Sequence, residues 1–296
     1  MRPKKIMLTG VSGQIGHAIS SVLSDFQVIG LTRKALDLTD QNAIRRVIRE
    51  IEPDLVIHPA AYTAVDKAES EPELVNAINI NAPRVIAEEA AKVGAALIHF
   101  STDYVYDGTK STPYLETDLE SPASVYGKSK LLGENAIVEV GLPHLILRTS
   151  WVYGAYGQNF LKTILRLARE QDTINVVADQ FGAPTSSRSM AHAIYYLVTQ
   201  WNPQTSEQTG VYHVTNSGRT SWHGFAQEII NEYTMLAKKP ALKANVDGVM
   251  ESTSVEYPTA ASRPKNSCLD NSKLENVFGV ILPSWQHGLQ EVMQHL

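Results

Sequence analysis

Two groups of residues have the type and spacing to do chemistry. The first is Gly10-Val11-Ser12-Gly13-Gln14-Ile15-Gly16, which follows an apolar run and opens an amphipathic one. Gly10 permits a tight turn, Gly13 lets the backbone approach a pyrophosphate, and Gly16 lets the helix pack close to its strand. Gln14 and Ile15 lie between them, where free N–H groups and the positive helix end meet phosphate. The second group is Tyr126 and Lys130, four apart in Ser124-Val125-Tyr126-Gly127-Lys128-Ser129-Lys130. That spacing places both on one helix face, with Ser124 as N-cap. A free tyrosine, with a pKa of about 10, is a poor base at neutral pH. A neighbouring ammonium and a positive nicotinamide ring favour its phenolate. Such a group gives a proton to a carbonyl as hydride arrives, or takes one in reverse. Tyr-x-x-x-Lys alone also arises by chance on surface helices; the glycine turn gives it a context.

Two further segments extend these sites. Ser101-Thr102-Asp103 ends a strand at the edge where ligands of open α/β sheets bind. There the Thr102 hydroxyl can meet the substrate carbonyl beside Tyr126. The second strand ends Leu31-Thr32-Arg33-Lys34, without the acid that holds the ribose of NAD. Arg33 and Lys34 either face a 2′-phosphate or stay a solvated pair. Asp37-Leu38 follows, within a loop's reach of the adenine.

Positioning these residues takes alternating strands and helices. Lys5–Thr9, Gln27–Leu31, Asp54–His58, Ala96–Ser101 and His144–Arg148 read as strands. Gln14–Leu23, Asp40–Ile51, Pro72–Val93 and Ser124–Val140 read as helices, the second with Ile44, Val47, Ile48 and Ile51 at helical spacing. Unbroken apolar strands are covered on both faces, so the expected fold is α/β, a Rossmann-type doubly wound parallel sheet. Beyond Arg148, helices fit Asn159–Arg169, Ser189–Gln200, Trp222–Leu236 and Pro283–Leu296, and strands fit Ile174–Val177 and Val211–Val214. Pro240–Pro264 shows little periodicity. The expected division is a dinucleotide domain over 1–170 and a smaller substrate lobe over 171–296, with later strands free to join the first sheet.

Composition sets outer bounds. The chain has 296 residues, a net charge of −5 and 43% hydrophobic residues. It can bury a full core, and as a whole it does not suit nucleic acid. Cys268 is the single cysteine, which excludes an intrachain disulfide. No His/Cys spacing suggests a metal site. No apolar run is long enough for a membrane span. Met1-Arg2-Pro3-Lys4-Lys5 starts like a secretion signal, but only Ile6-Met7-Leu8 follow before Thr9-Gly10, too short an apolar segment. A cytoplasmic location is expected.

The glycine turn, Ser101-Thr102-Asp103-Tyr104-Val105-Tyr106 and Tyr126-x-x-x-Lys130 together resemble the extended short-chain dehydrogenase/reductases. More narrowly, four segments resemble the dTDP-4-dehydrorhamnose reductase family. They are Ala60–Glu69, Arg148-Thr149-Ser150-Trp151-Val152-Tyr153, Asp179-Gln180-Phe181-Gly182-Ala183-Pro184-Thr185 and Ala261-Ser262-Arg263-Pro264. The resemblance implies NADPH or NADH as cofactor and a dTDP-4-dehydro-6-deoxy sugar as substrate. It puts Gly13, Gln14 and Ile15 at the phosphates, Asp37 and Leu38 at the adenine, and Ala61, Tyr62 and Thr63 along the ribose side. Phe100 lies near the cofactor. Tyr126 is the proton donor, Lys130 its partner and the holder of the nicotinamide ribose; Thr102, Asp103 and Trp151 contact the sugar. His58-Pro59 departs from the family's Asn. Some members bind a divalent metal with acids at a dimer contact, and Ser186-Ser187-Arg188-Ser189 offers none. No metal is therefore expected, and a homodimer stays a candidate without one.

A pyrophosphate substrate also needs a local cation in an acidic chain. Arg263 is the candidate, because Pro264 holds its backbone extended; the alternative is a solvated surface arginine. Two other readings are open. One is a different nucleotide-sugar reductase or epimerase. The other is a non-catalytic regulator similar to the regulatory subunit of methionine adenosyltransferase. Thr102, Tyr126 and Lys130 argue against lost catalysis.

Overall fold

The computed structural model describes residues 3–237 and 239–296. The basic start Met1-Arg2 lies outside them. Six strands form the main sheet: β1 (Lys5–Thr9), β2 (Gln27–Leu31), β3 (Leu55–His58), β4 (Ala96–Thr102), β5 (His144–Thr149) and β6 (Gly210–His213). Their spatial order is β6-β5-β4-β3-β1-β2, and every pairing is parallel. The order reverses between β1 and β3, the point at which such sheets open a crevice.

Alternation along each strand divides the side chains between two cores. Ile6, Leu8, Ile57, Ile98 and Leu147 face α1 (Gln14–Val22) and a later helix, Ser187–Gln200, through Met190, Ile194 and Leu197. Met7, Val56, Leu97 and Ile146 face the other way, onto α2 (Gln41–Ile51) and α3 (Ala82–Lys92). The catalytic candidates ride on α4 (Val125–Val140). A third core joins α5 (Phe160–Glu170), α6 (Trp222–Met235) and α7 (Trp285–Met293) around Phe225, Ile229 and Leu289. Strand Ile174–Val177 pairs there with Val249–Ser252 in parallel.

The structure departs from the sequence reading in the Pro72–Val93 and Pro240–Pro264 segments. Pro72–Val93 is not one helix but Pro72–Asn76, a π-helical turn at Ala77–Asn81, and α3. Pro83 has no N–H to offer the Asn79 carbonyl, so the regular ladder cannot continue through it. Strand Val249–Ser252 lies inside the segment that shows little periodicity. Its burial pattern leaves only Val249 buried, so its partner strand, not its own alternation, makes it a strand. The later strand β6 joins the edge of the first sheet beside β5, as the sequence reading allowed.

Candidate active site

A cleft of about 910 Å³ opens at the carboxyl ends of β1, β3, β4 and β5. It is lined by Gly10, Gly13, Gln14, Ile15, Gly16, Arg33, Asp37, Leu38, Ala61, Tyr62, Thr63, Phe100, Thr102, Asp103, Tyr126, Lys130 and Trp151. Of the residues the sequence singled out for the site, Lys34 and Arg263 lie off this lining. The Arg263 guanidinium pairs with Asp66 at 2.7 Å.

The glycine turn has the form a dinucleotide phosphate needs. Gly10 has φ +64°, and the Gly13 N–H donates to Gly10 O at 2.8 Å. A Cβ on Gly16 would stand 2.2 Å from Gly10 O, so only glycine lets α1 begin so close. The α1 N-cap, Gly13, contributes no side-chain cap, whereas Asp40, Ser124 and Asn159 cap their own helices. The first N–H groups of α1 are left for a ligand anion. The residues present therefore fit a nicotinamide dinucleotide. Arg33 lines the cleft beyond β2, and Lys34 does not. Asp37 accepts from the Thr39 N–H and hydroxyl; these bonds hold its carboxyl below the ordinary value.

Asn79 is a residue the sequence analysis missed. It is fully buried, accepts from the Tyr62 N–H at 2.8 Å, and donates to Tyr62 O and Ser129 Oγ. It thereby clamps the Ala61–Thr63 loop to α4. Its own carbonyl faces α4 so closely that a Cβ on Gly133 would stand 2.1 Å away. Pro83, which breaks a helical pattern, was the available signal.

On α4, Ser124 Oγ accepts from Gly127 N at 3.1 Å, as the N-cap reading requires. A Cβ on Gly127 would stand 2.2 Å from Tyr104 O, so the helix packs against the turn after β4. Tyr126 meets the Tyr104 ring edge-on at 5.6 Å. Burial pushes the Tyr126 phenol up; Thr102 acts to lower it, and Asp103 and Tyr104 to raise it. At neutral pH Tyr126 therefore holds its proton, the form a proton donor needs. Lys130 Nζ donates to Phe100 O at 2.6 Å. Burial lowers Lys130 to about 8, against the opposing carboxylate of Glu134. Burial also raises Asp103 to about 6, with Ser267 and Thr102 opposing. Its Oδ2 is buried without a partner.

Trp151 is held by force of packing. Its φ is +50°, a strained conformation for a bulky residue. Its ring stacks on Trp222 at 3.5 Å, and a Cβ on Gly182 would stand 2.6 Å from Cε2. Trp222 thus backs the site rather than only filling a core. Phe181 lies under the Arg219 guanidinium at 4.2 Å.

Comparison with known proteins agrees with this geometry. A family model described as RmlD substrate binding domain matches residues 4–296. The dTDP-4-dehydrorhamnose reductase of Burkholderia thailandensis is 43% identical, covering 96% of each chain. That of Escherichia coli K12 is 39% identical over 98% of this chain and 97% of its own. The crystal structure of dTDP-4-dehydrorhamnose reductase from Bacillus anthracis in complex with NADP superposes with a TM-score of 0.90 at 36% identity, covering 100% of both chains.

Proposed function

The chain belongs to the RmlD substrate binding domain family, and from that membership we propose that it reduces the C4 keto group of dTDP-4-dehydro-6-deoxy-L-mannose to dTDP-L-rhamnose with NADPH or NADH. The observation that carries this reading is the meeting of Thr102, Tyr126 and Lys130 with the uncapped glycine turn in one cleft. When bound, the reduced nicotinamide supplies the hydride. The Tyr126 hydroxyl gives its proton to the C4 oxygen as charge develops there. The Thr102 hydroxyl donates to the same oxygen. Lys130 holds a positive charge beneath, and Trp151 offers a flat apolar wall to the sugar. Incubation with the dTDP-4-keto sugar and NADPH tests the reading. Oxidation of NADPH together with formation of a dTDP-6-deoxy sugar is expected; turnover of UDP-glucose instead would move the chain to another branch of the fold.

Two roles extend the proposal. For Arg33, the position in the cleft and the missing acid after β2 support a contact to a 2′-phosphate, which a guanidinium can bind with two parallel bonds. NADPH is then used at least as well as NADH, and Arg33→Ala raises the NADPH KM about tenfold while sparing NADH. A strong NADH preference that persists in Arg33→Ala would reject the contact. For Arg263, the support is its place near the cleft-lining Tyr104, whose phenol it acts to lower against burial. Its pairing with Asp66 keeps the guanidinium oriented, and a substrate pyrophosphate would compete for it. Arg263→Ala is expected to raise the sugar KM about tenfold, the size of one charge-assisted bond, with NADPH affinity unchanged. Equal loss for both ligands, or for neither, removes Arg263 from the substrate site. A cytoplasmic location belongs to the same reading, supported by the finding that no helix among the described residues is long and apolar enough to cross a membrane.

A further inference from the structure

An ammonium has three hydrogens and no acceptor. On Lys130, one goes to Phe100 O at 2.6 Å and another to Nε2 of His99 at 3.2 Å. One hydrogen remains for the cleft. His99 is 1% exposed and lies on β4 opposite His58 on β3. The two rings are 5.3 Å apart and inclined by 29°. His58 Nδ1 in turn lies 2.8 Å from Thr9 Oγ1 at the end of β1. Three adjacent strands thus carry a buried polar row directly behind Lys130. Because Lys130 can only donate, His99 Nε2 must accept, and the ring hydrogen of neutral His99 belongs on Nδ1.

We propose that His99 is a positioning residue for proton transfer: with Phe100 O it fixes the Lys130 ammonium so that the last hydrogen serves the cleft, while His58, tethered to Thr9, packs against the His99 ring and keeps it from turning over. The inference rests on the reductase reading. Every charged or titratable group facing this ring favours its neutral form. Burial comes first, then Lys130, His58 and His144, all of which push His99 well below the ordinary histidine value. Burial and Lys130 lower His58 to about 3. Both rings are therefore neutral over the working range. The charge on Lys130 is present below its own pKa and is lost as pH rises through it. Removing an acceptor withdraws support from the charged form, so that pKa falls further.

The test compares kcat against pH for the unaltered chain, His99→Leu and His99→Gln. In His99→Leu, kcat is expected to drop about tenfold and its alkaline limb to move down by about one pH unit, the two being the same free energy. His99→Gln, whose amide oxygen can accept, recovers most of both. A folded His99→Leu with its alkaline limb in place overturns the inference. Nitrogen-15 NMR of the unaltered chain judges it without any variant. Nδ1 protonated and Nε2 bare from roughly pH 6 to roughly pH 7, where Lys130 is charged and can only donate, supports it. A hydrogen on Nε2, or titration near the ordinary value of about 6.5, overturns it. An unaltered chain inactive toward every dTDP-4-keto sugar would instead overturn the reductase reading, and leave the NMR result to decide the arrangement of the row.

Discussion

Tyr126→Phe is expected to lower kcat for keto-sugar reduction by about 10²- to 10⁴-fold, the range for loss of a positioned proton donor. The variant keeps the ring that packs edge-on against Tyr104 at 5.6 Å, so the fold and the cleft walls should persist. It removes only the hydroxyl. Cofactor Kd, read by fluorescence titration, should stay within about twofold, a difference near RT ln 2 and below 0.5 kcal/mol. The raised phenol has a consequence as well: the proton is in place across neutral pH, so the acid side of the unaltered kcat profile should show no step belonging to Tyr126. Turnover in Tyr126→Phe close to that of the unaltered chain would remove Tyr126 from proton transfer and leave Thr102 as the donor at that oxygen.

Glu134→Ala is expected to be the most destabilising single change near the site, at about 3–5 kcal/mol. Glu134 and Arg148 are 3% and 2% exposed and joined at 2.6 Å. Arg148 also donates to Tyr106 Oη and to Glu120 at 2.7 Å each. Burial works against the Arg148 charge, and Glu134, Tyr106 and Glu120 together more than restore it. Truncating Glu134 leaves a buried guanidinium with only Glu120, 31% exposed, to balance it. The same carboxylate takes a hydrogen bond from Ser101 and supports the Lys130 charge, so kcat should fall along with stability. Glu170→Ala is the control: its pair with Arg166 is 53–58% exposed, and such pairs contribute about 0–1 kcal/mol. Urea unfolding of both variants measures the contrast. A Glu134→Ala loss under about 1 kcal/mol would mean that Glu120 alone neutralises Arg148.

The parts of this protein that were legible in the sequence are those governed by a few consecutive residues. The Gly10–Gly16 turn, the Ser124 cap, the Tyr126–Lys130 spacing and the apolar strands each depend on local backbone geometry or on side-chain period. Each stands where its spacing placed it. The cleft follows from them, because parallel strands bring all their carboxyl ends to one edge. The end of the fourth strand gave Thr102, and the family motifs extended that reading to Trp151.

Tertiary structure decided the rest, for reasons of distance along the chain. Asn79 clamps Tyr62 from 17 residues away, out of a π turn at Ala77–Asn81. Arg263 meets Asp66 across 197 residues, a pairing that no periodicity announces. Trp222 supports Trp151 only because α6 delivers it there. The protonation of the site was equally out of reach. Four-residue spacing puts Lys130 on the face of Tyr126; its bonds to Phe100 O and His99 on β4, and the burial of both groups, come only with the fold. Sequence spacing determines which side chains share a helix face. What desolvates them, and which distant strand supplies their partners, is determined only when the sheet closes around them.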